Sequence, residues 1–571
     1  MKSIKKMLLI LSILSISLMF NSCSSDNVGK NELNKPNDSI STNQNYKETI
    51  TSKELFVSNN ARLAMALVLD KSYITDSILG NGAIPAGYLI PKEFVYDMDG
   101  KDFRDTSPDG YQKFDIEKAK EYWQKAKEEI GFKNVTISLL TSDSDLNKRI
   151  AEYIQGQWNI LEGLNVEINQ VPFKTQLDNQ KKGNFDTVIA GWSPDYADPM
   201  TFMDLWVETS EHNYAKYKNK DYNKLVMEAK NGDLTNVNKL DERIKALKNA
   251  EKIILQDDVA IIPLFQKGVS ILQREGVENI IRAKIAPGTV YKFAKTKYKD
   301  KNEKYILRLT DSSDLVTANT IKTTDIASST LLGTTNEGLL NILDNGKIDY
   351  CVAESYEVSD DSLEYTFKLR KDAKWENGKP VTAKDFVFAW RKLSDPKTGA
   401  QYSGLLETAN ILNASKIINS ELLPEDLGVE AVDDYTLKVK LEKPVPYFLS
   451  LLSMTNFYPI NEEFYNQCGD KFGTSKEYTL SNGAFKLESW DLGYGYSVVK
   501  NDNYWNKDNI HLDGITWRKV QDSSATLNLY EKGEVDICGL TGDGIAKYED
   551  SSEFMRILSG SMFYVVINLD K

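Results

Sequence analysis

The chain has 571 residues, too many for a single hydrophobic core, so two or three domains are expected. Apolar residues make up 41% of it and charged residues 27%, a composition typical of globular proteins rather than of disordered or fibrous ones. The net charge is −13 and no long basic stretch follows the N-terminus, which argues against nucleic acid as a partner.

The few cysteines and histidines restrict the chemistry that the chain can carry. No two cysteines form a Cys-x-x-Cys pair, so a structural zinc site is not expected. The two histidines, His212 and His511, argue against a histidine-based triad and against a site with several histidine ligands. Neither a Gly-x-Ser-x-Gly elbow nor a His-Glu-x-x-His helix occurs. The sequence therefore predicts no enzyme, no metal and no cofactor.

Residues 1–22 have the pattern of a signal peptide. Three lysines precede an apolar stretch, residues 7–20, that is too short to span a bilayer comfortably. With Cys23 directly behind it, the segment resembles a bacterial lipoprotein signal, although Phe20 and Asn21 differ from the usual Leu and Ala. The resemblance implies that Cys23 becomes the first residue and carries fatty acyl chains such as palmitate. The alternative is an ordinary signal peptide followed by an unmodified thiol.

Residues 23–54 are rich in Ser, Asn, Lys, Asp and Thr and have almost no large apolar side chains. Such a segment cannot bury enough surface to offset the entropy of ordering it, so it is expected to be a flexible tether.

From about Leu55 the pattern becomes globular, and strands alternate with helices. This alternation predicts a parallel sheet covered by helices, with ligands at the carboxyl ends of its strands. The expected helix 115–130 has Asp115 as its N-cap and Gly131 as its stop. The other predicted helices are 60–70, 145–161, 175–182 and 240–256, and the predicted strands are 135–140, 166–171, 185–190 and 259–265.

The stretch 191–199, Gly-Trp-Ser-Pro-Asp-Tyr-Ala-Asp-Pro, directly follows the apolar strand 185–190. A strand that ends in Gly-Trp and a Pro-rich turn places Asp195 at a sheet edge, beside Trp192 and Tyr196. The alternative interpretation is a tight turn with a solvated acid, because Asp and Pro are ordinary turn residues.

The second half begins after a mixed, loop-rich segment, residues 269–304. Residues 305–309 open a new domain, and 363–369, 435–441 and 564–569 have the pattern of strands. Thr382 is the expected N-cap of a helix, with Asp385 as the acid of a shortened capping box.

Several motifs together resemble one family, the extracytoplasmic oligopeptide-binding proteins of ABC importers. The resemblance implies an α/β, periplasmic-binding-protein-like fold: a Venus flytrap of two lobes (three subdomains) with mixed sheets. The residues that carry the resemblance are 191–199, 375–378, 380–390, 395–396, 481–485 and 504–505.

The order of the two halves differs from that of the family, because the part that usually comes second stands here before the part that usually comes first. Each part occurs once, so the sequence is interpreted as a circular permutation of one binding protein, with a misassembled or engineered sequence as the alternative. The expected organisation is lobe III at 55–268, lobe I at 269–350 and 480–571, and lobe II as an insertion at 351–479.

The resemblance also implies a binding site for an extended peptide. Asp195 would pair with the α-amino group of the peptide, and 191–193 (Gly191, Trp192, Ser193) and 337–339 (Glu337, Gly338, Leu339) would offer strand edges to its backbone. Ile189 stands where better-known members carry a basic residue, so recognition of the peptide carboxylate is not carried over. The further expected ligand contacts are Phe173, Trp192 and Tyr402 as pocket walls and Asn568 as a polar residue near the hinge.

By the same resemblance, the partners are oligopeptides and the permease subunits of an ABC importer. The protein is expected to be a monomer on the outer face of the cell membrane, which it touches only through its lipid anchor. The alternatives are a binding protein of the same fold for a nickel chelate, a sugar or heme, and a surface receptor for signalling peptides without import.

Overall fold

The structure, a computed structural model of the chain, describes residues 46–96, 100–285, 288–343 and 347–570. The signal peptide, Cys23 and the tether up to residue 45 lie outside the described residues. From Tyr46 onward the chain forms one compact unit. Among the described helices, none has the length and apolar character needed to span a membrane.

The described residues contain twenty strands, which belong to five sheets. They are β1 (Lys47–Ile50), β2 (Ile84–Pro85), β3 (Phe132–Ser142), β4 (Leu164–Val171), β5 (Thr187–Trp192), β6 (Ile261–Gln273), β7 (Ile281–Arg282), β8 (Thr289–Val290), β9 (Ile306–Asp311), β10 (Leu340–Ile342), β11 (Ile348–Tyr350), β12 (Ala353–Val358), β13 (Glu364–Leu369), β14 (Val429–Asp433), β15 (Thr436–Lys440), β16 (Phe485–Asp491), β17 (Gly495–Lys500), β18 (Gly514–Lys519), β19 (Ile537–Leu540) and β20 (Phe554–Ile567).

Sixteen α-helices accompany these strands in the described part of the chain. They are α1 (Ser52–Phe56), α2 (Asn59–Leu67), α3 (Ile116–Ile130), α4 (Asp145–Trp158), α5 (Phe173–Lys182), α6 (Met200–Met203), α7 (Lys220–Asn231), α8 (Leu240–Lys252), α9 (Ile326–Thr335), α10 (Ala383–Ser394), α11 (Gly404–Thr408), α12 (Ala414–Ile418), α13 (Phe448–Leu451), α14 (Glu462–Cys468), α15 (Ser523–Glu531) and α16 (Asp543–Tyr548).

The largest sheet has eight strands and is mixed rather than parallel. Strands β4 and β5 run parallel to β3, as the alternation of strands and helices predicts, and the unpredicted β1 does so too. The sheet as a whole is mixed, because β20 lies antiparallel between β5 and β6. Val565, Val566 and Ile567 of β20 are completely buried. A continuous apolar run of this kind suits a central strand that is covered on both faces.

Three further features of this sheet correct the predictions. The tether is shorter than expected, because β1 pairs with β3 and Ile50 is buried. Thr51 then caps α1 in a capping box with Glu54. Strand β6 continues to Gln273, into the segment expected to be loop-rich, because its end pairs with β20. The boundary expected between residues 268 and 269 therefore falls inside β6.

Local signals for helix ends are confirmed. Asp115 accepts a hydrogen bond from the amide of Lys118 at the start of α3, and Gly131 follows the helix in the left-handed conformation. Thr382 and Asp385 form the predicted capping box at the start of α10.

The remaining strands form smaller sheets. An antiparallel sheet has the order β12-β13-β15-β14, and another has the order β16-β17-β18-β9, in which β9 runs parallel to β18. Two pairs, β7 with β8 and β10 with β11, complete the set. The α/β class with mixed sheets is thus confirmed.

Candidate functional site

The carboxyl-terminal end of β5 has a strand neighbour on only one side. β20 pairs with β5 from Thr187 to Trp192, whereas the pairing of β5 with β3 stops at Val188. Beyond that residue no described strand covers the second edge of β5. Backbone groups on an uncovered edge of this kind can pair with an added extended chain.

The predicted residues 191–193 lie on this end of β5. A Cβ atom at Gly191 would lie 2.9 Å from the ring of Phe563, so packing against β20 requires a glycine there. The hydroxyl of Ser193 forms a 2.8 Å hydrogen bond with that of Ser561 on β20. The indole N–H of Trp192 donates to Thr201 Oγ1 over 3.2 Å. These contacts fix the end of the strand from which the next turn starts.

The turn after β5 is anchored by a buried ion pair that the sequence did not reveal. Both oxygens of Asp198 accept hydrogen bonds of 2.7 Å from the guanidinium of Arg243 on α8. One of them also accepts from the amide of Met200 over 2.8 Å. Both Asp198 and Arg243 are buried, so the two-point pair holds the turn rigidly against α8.

Asp195, in the same turn, keeps its carboxylate free. Its amide N–H donates to Thr201 Oγ1 over 3.2 Å, while its carboxylate has no ion pair or hydrogen bond with any described residue. The residue is exposed overall, yet the surrounding protein removes enough water from the carboxylate to raise its pKa. Repulsion from Asp204 adds to this effect, and His212 opposes it. A carboxylate that is partly desolvated and unpaired favours a cationic ligand.

Asp195 opens into a cavity of about 340 Å³. The size is at the lower end for ligand pockets, which suits one residue of a peptide better than a whole peptide. Asp204 shares this cavity, but it is already paired with Lys230 at 2.9 Å. The lining residues come from two parts of the chain, Trp192, Asp195, Tyr196, Thr201, Asp204, Leu205, His212, Lys230 and Asn231 from the first, and Glu407, Thr408, Asn410, Pro444 and Tyr447 from the second.

The side chain of Glu337 is occupied by internal contacts. It is buried and binds Lys292 Nζ at 3.1 Å, the hydroxyl of Tyr504 at 2.6 Å and the indole N–H of Trp505 at 2.9 Å. Asp349 also pairs with Lys292, at 2.5 Å. The carboxylate of Glu337 therefore neutralises a buried lysine.

The backbone of residues 337–339 is also largely paired within the protein. The carbonyl of Glu337 accepts from the side-chain amide of Asn482, and the carbonyls of Gly338 and Leu339 accept from main-chain N–H groups of residues 351–353. A Cβ atom at Gly338 would lie 2.6 Å from the ring of Tyr458, so the glycine serves internal packing. The main-chain N–H of Glu337 is also taken, because it donates to Asn482 Oδ1 over 3.0 Å. An extended ligand at this segment would therefore have to pair with the N–H groups of Gly338 or Leu339.

The remaining predicted site residues do not line this cavity. Phe173, the first residue of α5, is 61% exposed, and Tyr402 is 42% exposed. Asn568 is buried and donates to the carbonyls of Gly183 at 3.1 Å and Phe185 at 3.0 Å, so it holds the turn that leads into β5. Ile189 is buried in the core beneath β5. A role for Phe173, Tyr402 and Asn568 in ligand binding stays a prediction.

The three cysteines in the described residues, Cys351, Cys468 and Cys538, form no disulfide. Within the same residues, no group of three or more His, Cys, Asp and Glu side chains could hold a metal ion.

A family model described as bacterial extracellular solute-binding proteins, family 5, matches residues 24–214 and 347–571. Among curated proteins, the periplasmic oligopeptide-binding protein OppA of Haemophilus influenzae is 36% identical over 230 residues, 40% of this chain and 42% of that protein. The dipeptide-binding protein DppE of Bacillus subtilis is 36% identical over 203 residues, 35% of this chain and 36% of that protein. The chain thus spans less than half the length of these relatives.

Among solved structures, Listeria monocytogenes OppA bound to peptide is 40% identical and has a TM-score of 0.42. The match covers 43% of this chain and 48% of that chain.

Proposed function

The chain belongs to the bacterial extracellular solute-binding proteins of family 5, and from this premise we propose that it captures oligopeptides in an extended conformation between two lobes and delivers them to an ABC importer. The observation that carries the proposal is the unpaired carboxylate of Asp195 at the uncovered end of β5. The names of the relatives, which are oligopeptide- and dipeptide-binding proteins, support the same ligand class.

In this proposal Asp195 pairs with the α-ammonium of the peptide. The turn that carries it is fixed by the pair of Asp198 and Arg243, so the carboxylate is held in place before the ligand arrives. The first residues of the peptide add to the edge of β5 at Gly191 to Ser193, and the cavity beside Asp195 takes one side chain. A binding protein of this kind needs no cofactor and no catalytic group.

Calorimetry with a mixture of tripeptides to pentapeptides that have free N-termini tests this proposal. We expect saturable binding in the micromolar range or tighter, about −8 kcal/mol or better. The proposal fails if these peptides do not bind while a nickel chelate, a sugar or heme does.

We also propose that Cys23 carries the lipid anchor that holds the protein, as a monomer, at the outer face of the membrane. Two acyl signals suffice for stable attachment, whereas one chain is marginal. The variant Cys23→Ser should accumulate as unprocessed precursor or appear in the medium, as membrane fractionation and intact mass would reveal. A cleaved Cys23→Ser protein that stays on the membrane would contradict the proposal.

The permuted order of the halves is a further part of the proposal, and the packing around Asp186 supports it. One carboxylate oxygen of Asp186 accepts a 2.8 Å hydrogen bond from Ser52 Oγ, and its main-chain carbonyl accepts one of 2.9 Å from the amide of Asn568. Residues 52 and 568 therefore lie on either side of the same residue. A chain in the usual family order would connect these two places directly.

A further inference from the structure

The turn that carries Asp195 is held from outside its own sheet as well. The ring of Tyr196 stacks on that of Tyr447, with centroids 4.2 Å apart and an angle of 15° between the planes. The amide N–H of Ala197 donates to Ser450 Oγ over 3.1 Å. Tyr447 precedes α13 and Ser450 lies in it, in the segment that follows β15 of a different sheet.

These contacts are buried. Tyr196, Tyr447 and Ser450 are less than one-tenth exposed, at 7%, 9% and 8%. Burial raises the pKa of Tyr447 to about 12, so both rings are neutral near pH 7, and a hydrogen bond between the two side chains accompanies the stacking. Ser450 Oγ is the only acceptor that the described residues offer to the Ala197 amide. Loss of this hydroxyl would leave the N–H without a partner, which is costly away from water.

The two contacts act on the residues next to Asp195. Tyr196 and Ala197 follow it immediately, so a shift of either moves its carboxylate. On the other side of these residues, Asp198 is fixed by Arg243. The turn therefore depends on α8 for one attachment and on the segment around α13 for the other two.

We propose that Ser450 and Tyr447 are positioning residues for Asp195, an inference that rests on the proposed function. The hydroxyl of Ser450 and the ring of Tyr447 hold the Asp195 turn in the geometry that binds the peptide amine. The affinity for the amine thereby depends on a segment about 250 residues away in the sequence.

The test compares Ser450→Ala with Ser453→Ala. Ser453 is a matched control, because its hydroxyl donates only to the carbonyl of Ser450, over 2.7 Å, and does not reach the turn. Calorimetry at pH 7 would measure each variant with one pentapeptide in its free and its N-acetylated form. We expect Ser450→Ala to lower the affinity for the free peptide about tenfold and the affinity for the acetylated peptide much less. Ser453→Ala should change neither affinity. In an Asp195→Asn background, Ser450→Ala should lose its effect on the free peptide.

Equal losses for both peptide forms, or no loss at all, would overturn the proposal. Circular dichroism and thermal unfolding would verify that each variant folds. If Ser450→Ala does not fold, Tyr447→Leu replaces it in the comparison. Because Tyr447 also lines the cavity, Tyr447→Leu should weaken binding of both peptide forms, and of the free form more. If Asp195→Asn shows no loss specific to the free amine, the proposed function itself fails. If Asp195→Asn shows that loss and Ser450→Ala does not, only the positioning role fails.

Discussion

At the scale of single residues, two acids in one turn have different functions. Asp198 is buried and paired with Arg243, whereas Asp195, three positions earlier, has no described partner for its carboxylate. The sequence stretch 191–199 identified the turn but not this division, because Arg243 lies 45 residues from Asp198. Similarly, nothing local to Glu337 revealed that its side chain neutralises the buried Lys292.

The raised pKa of Asp195 predicts how peptide binding depends on pH. Only the ionised carboxylate attracts an ammonium, so affinity is lost as pH falls through the pKa of Asp195 in the free protein. Because burial and Asp204 raise that pKa, the loss should begin at a higher pH than for an ordinary aspartate. A second loss should follow above about pH 8, where the peptide α-amine loses its proton.

Dissociation constants measured from pH 4 to pH 9 would test this prediction. An N-acetylated peptide is the control, since it has no amine and should show neither loss. Binding of the free peptide that stays constant down to pH 4 would contradict the prediction.

At the scale of elements, local signals were sufficient for helix ends but not for strand order. The N-cap Asp115 and the stop Gly131 bound α3, and Thr382 with Asp385 starts α10, as predicted. The place of β20 between β5 and β6 depends on pairing over more than 280 residues, and no local pattern encodes such a pairing. For the same reason the pairing of β1 with β3 was missed, because its four residues carry only one buried apolar side chain.

The capping box of α10 predicts a pH dependence of stability. Burial raises the pKa of Asp385 to about 6, although the hydrogen bonds from Thr382 oppose this. Because the pKa is higher in the folded state than in the unfolded state, the contribution of Asp385 to stability is fully present below about pH 4. It is lost as pH rises through about 6.

Urea unfolding between pH 4 and pH 7 would measure this contribution as the free energy of unfolding. At pH 4 the original protein should have the higher free energy of unfolding than Asp385→Asn. At pH 7 this difference in free energy should shrink or change sign. As a control, Asp361→Asn changes an exposed acid whose pKa is lowered, so its effect should not follow this pattern. A difference for Asp385→Asn that is constant across the range would contradict the assignment.

At the scale of the whole molecule, the large sheet joins distant parts of the chain. Strand β5 comes from the expected lobe III, β6 runs across the expected boundary from lobe III into lobe I, and β19 and β20 come from the second segment of the expected lobe I. The sequence predicted the family and the two halves of the chain, but it could not show that strands of both halves belong to one sheet. That arrangement follows from β20, whose buried run requires cover on both faces.

A chain with its halves in the usual family order tests the permutation. It would begin near Tyr305, join Asp570 to Ser52 through a short Gly-Ser linker, and end near Lys295. Because Ser52 and Asn568 both bind Asp186, the linker has little distance to span, and we expect unchanged peptide affinity. Calorimetry and thermal unfolding beside the original protein would measure this, with some loss of stability expected from the removal of β1. A reordered chain that folds but does not bind peptide would contradict the permutation.

The central claim is that Asp195 binds the α-amino group of a peptide. Calorimetry of four combinations, the original protein and Asp195→Asn with a free and an N-acetylated peptide, tests it most directly. Asn keeps the size and part of the hydrogen bonding of Asp but removes the charge. In the bound complex the peptide ammonium would then be left buried without its partner, which typically costs about 3–5 kcal/mol. We predict that Asp195→Asn lowers the affinity for the free peptide by roughly two to three decades, at about 1.4 kcal/mol per decade. The affinity for the acetylated peptide should fall far less. Equal losses for the two peptides would contradict the claim.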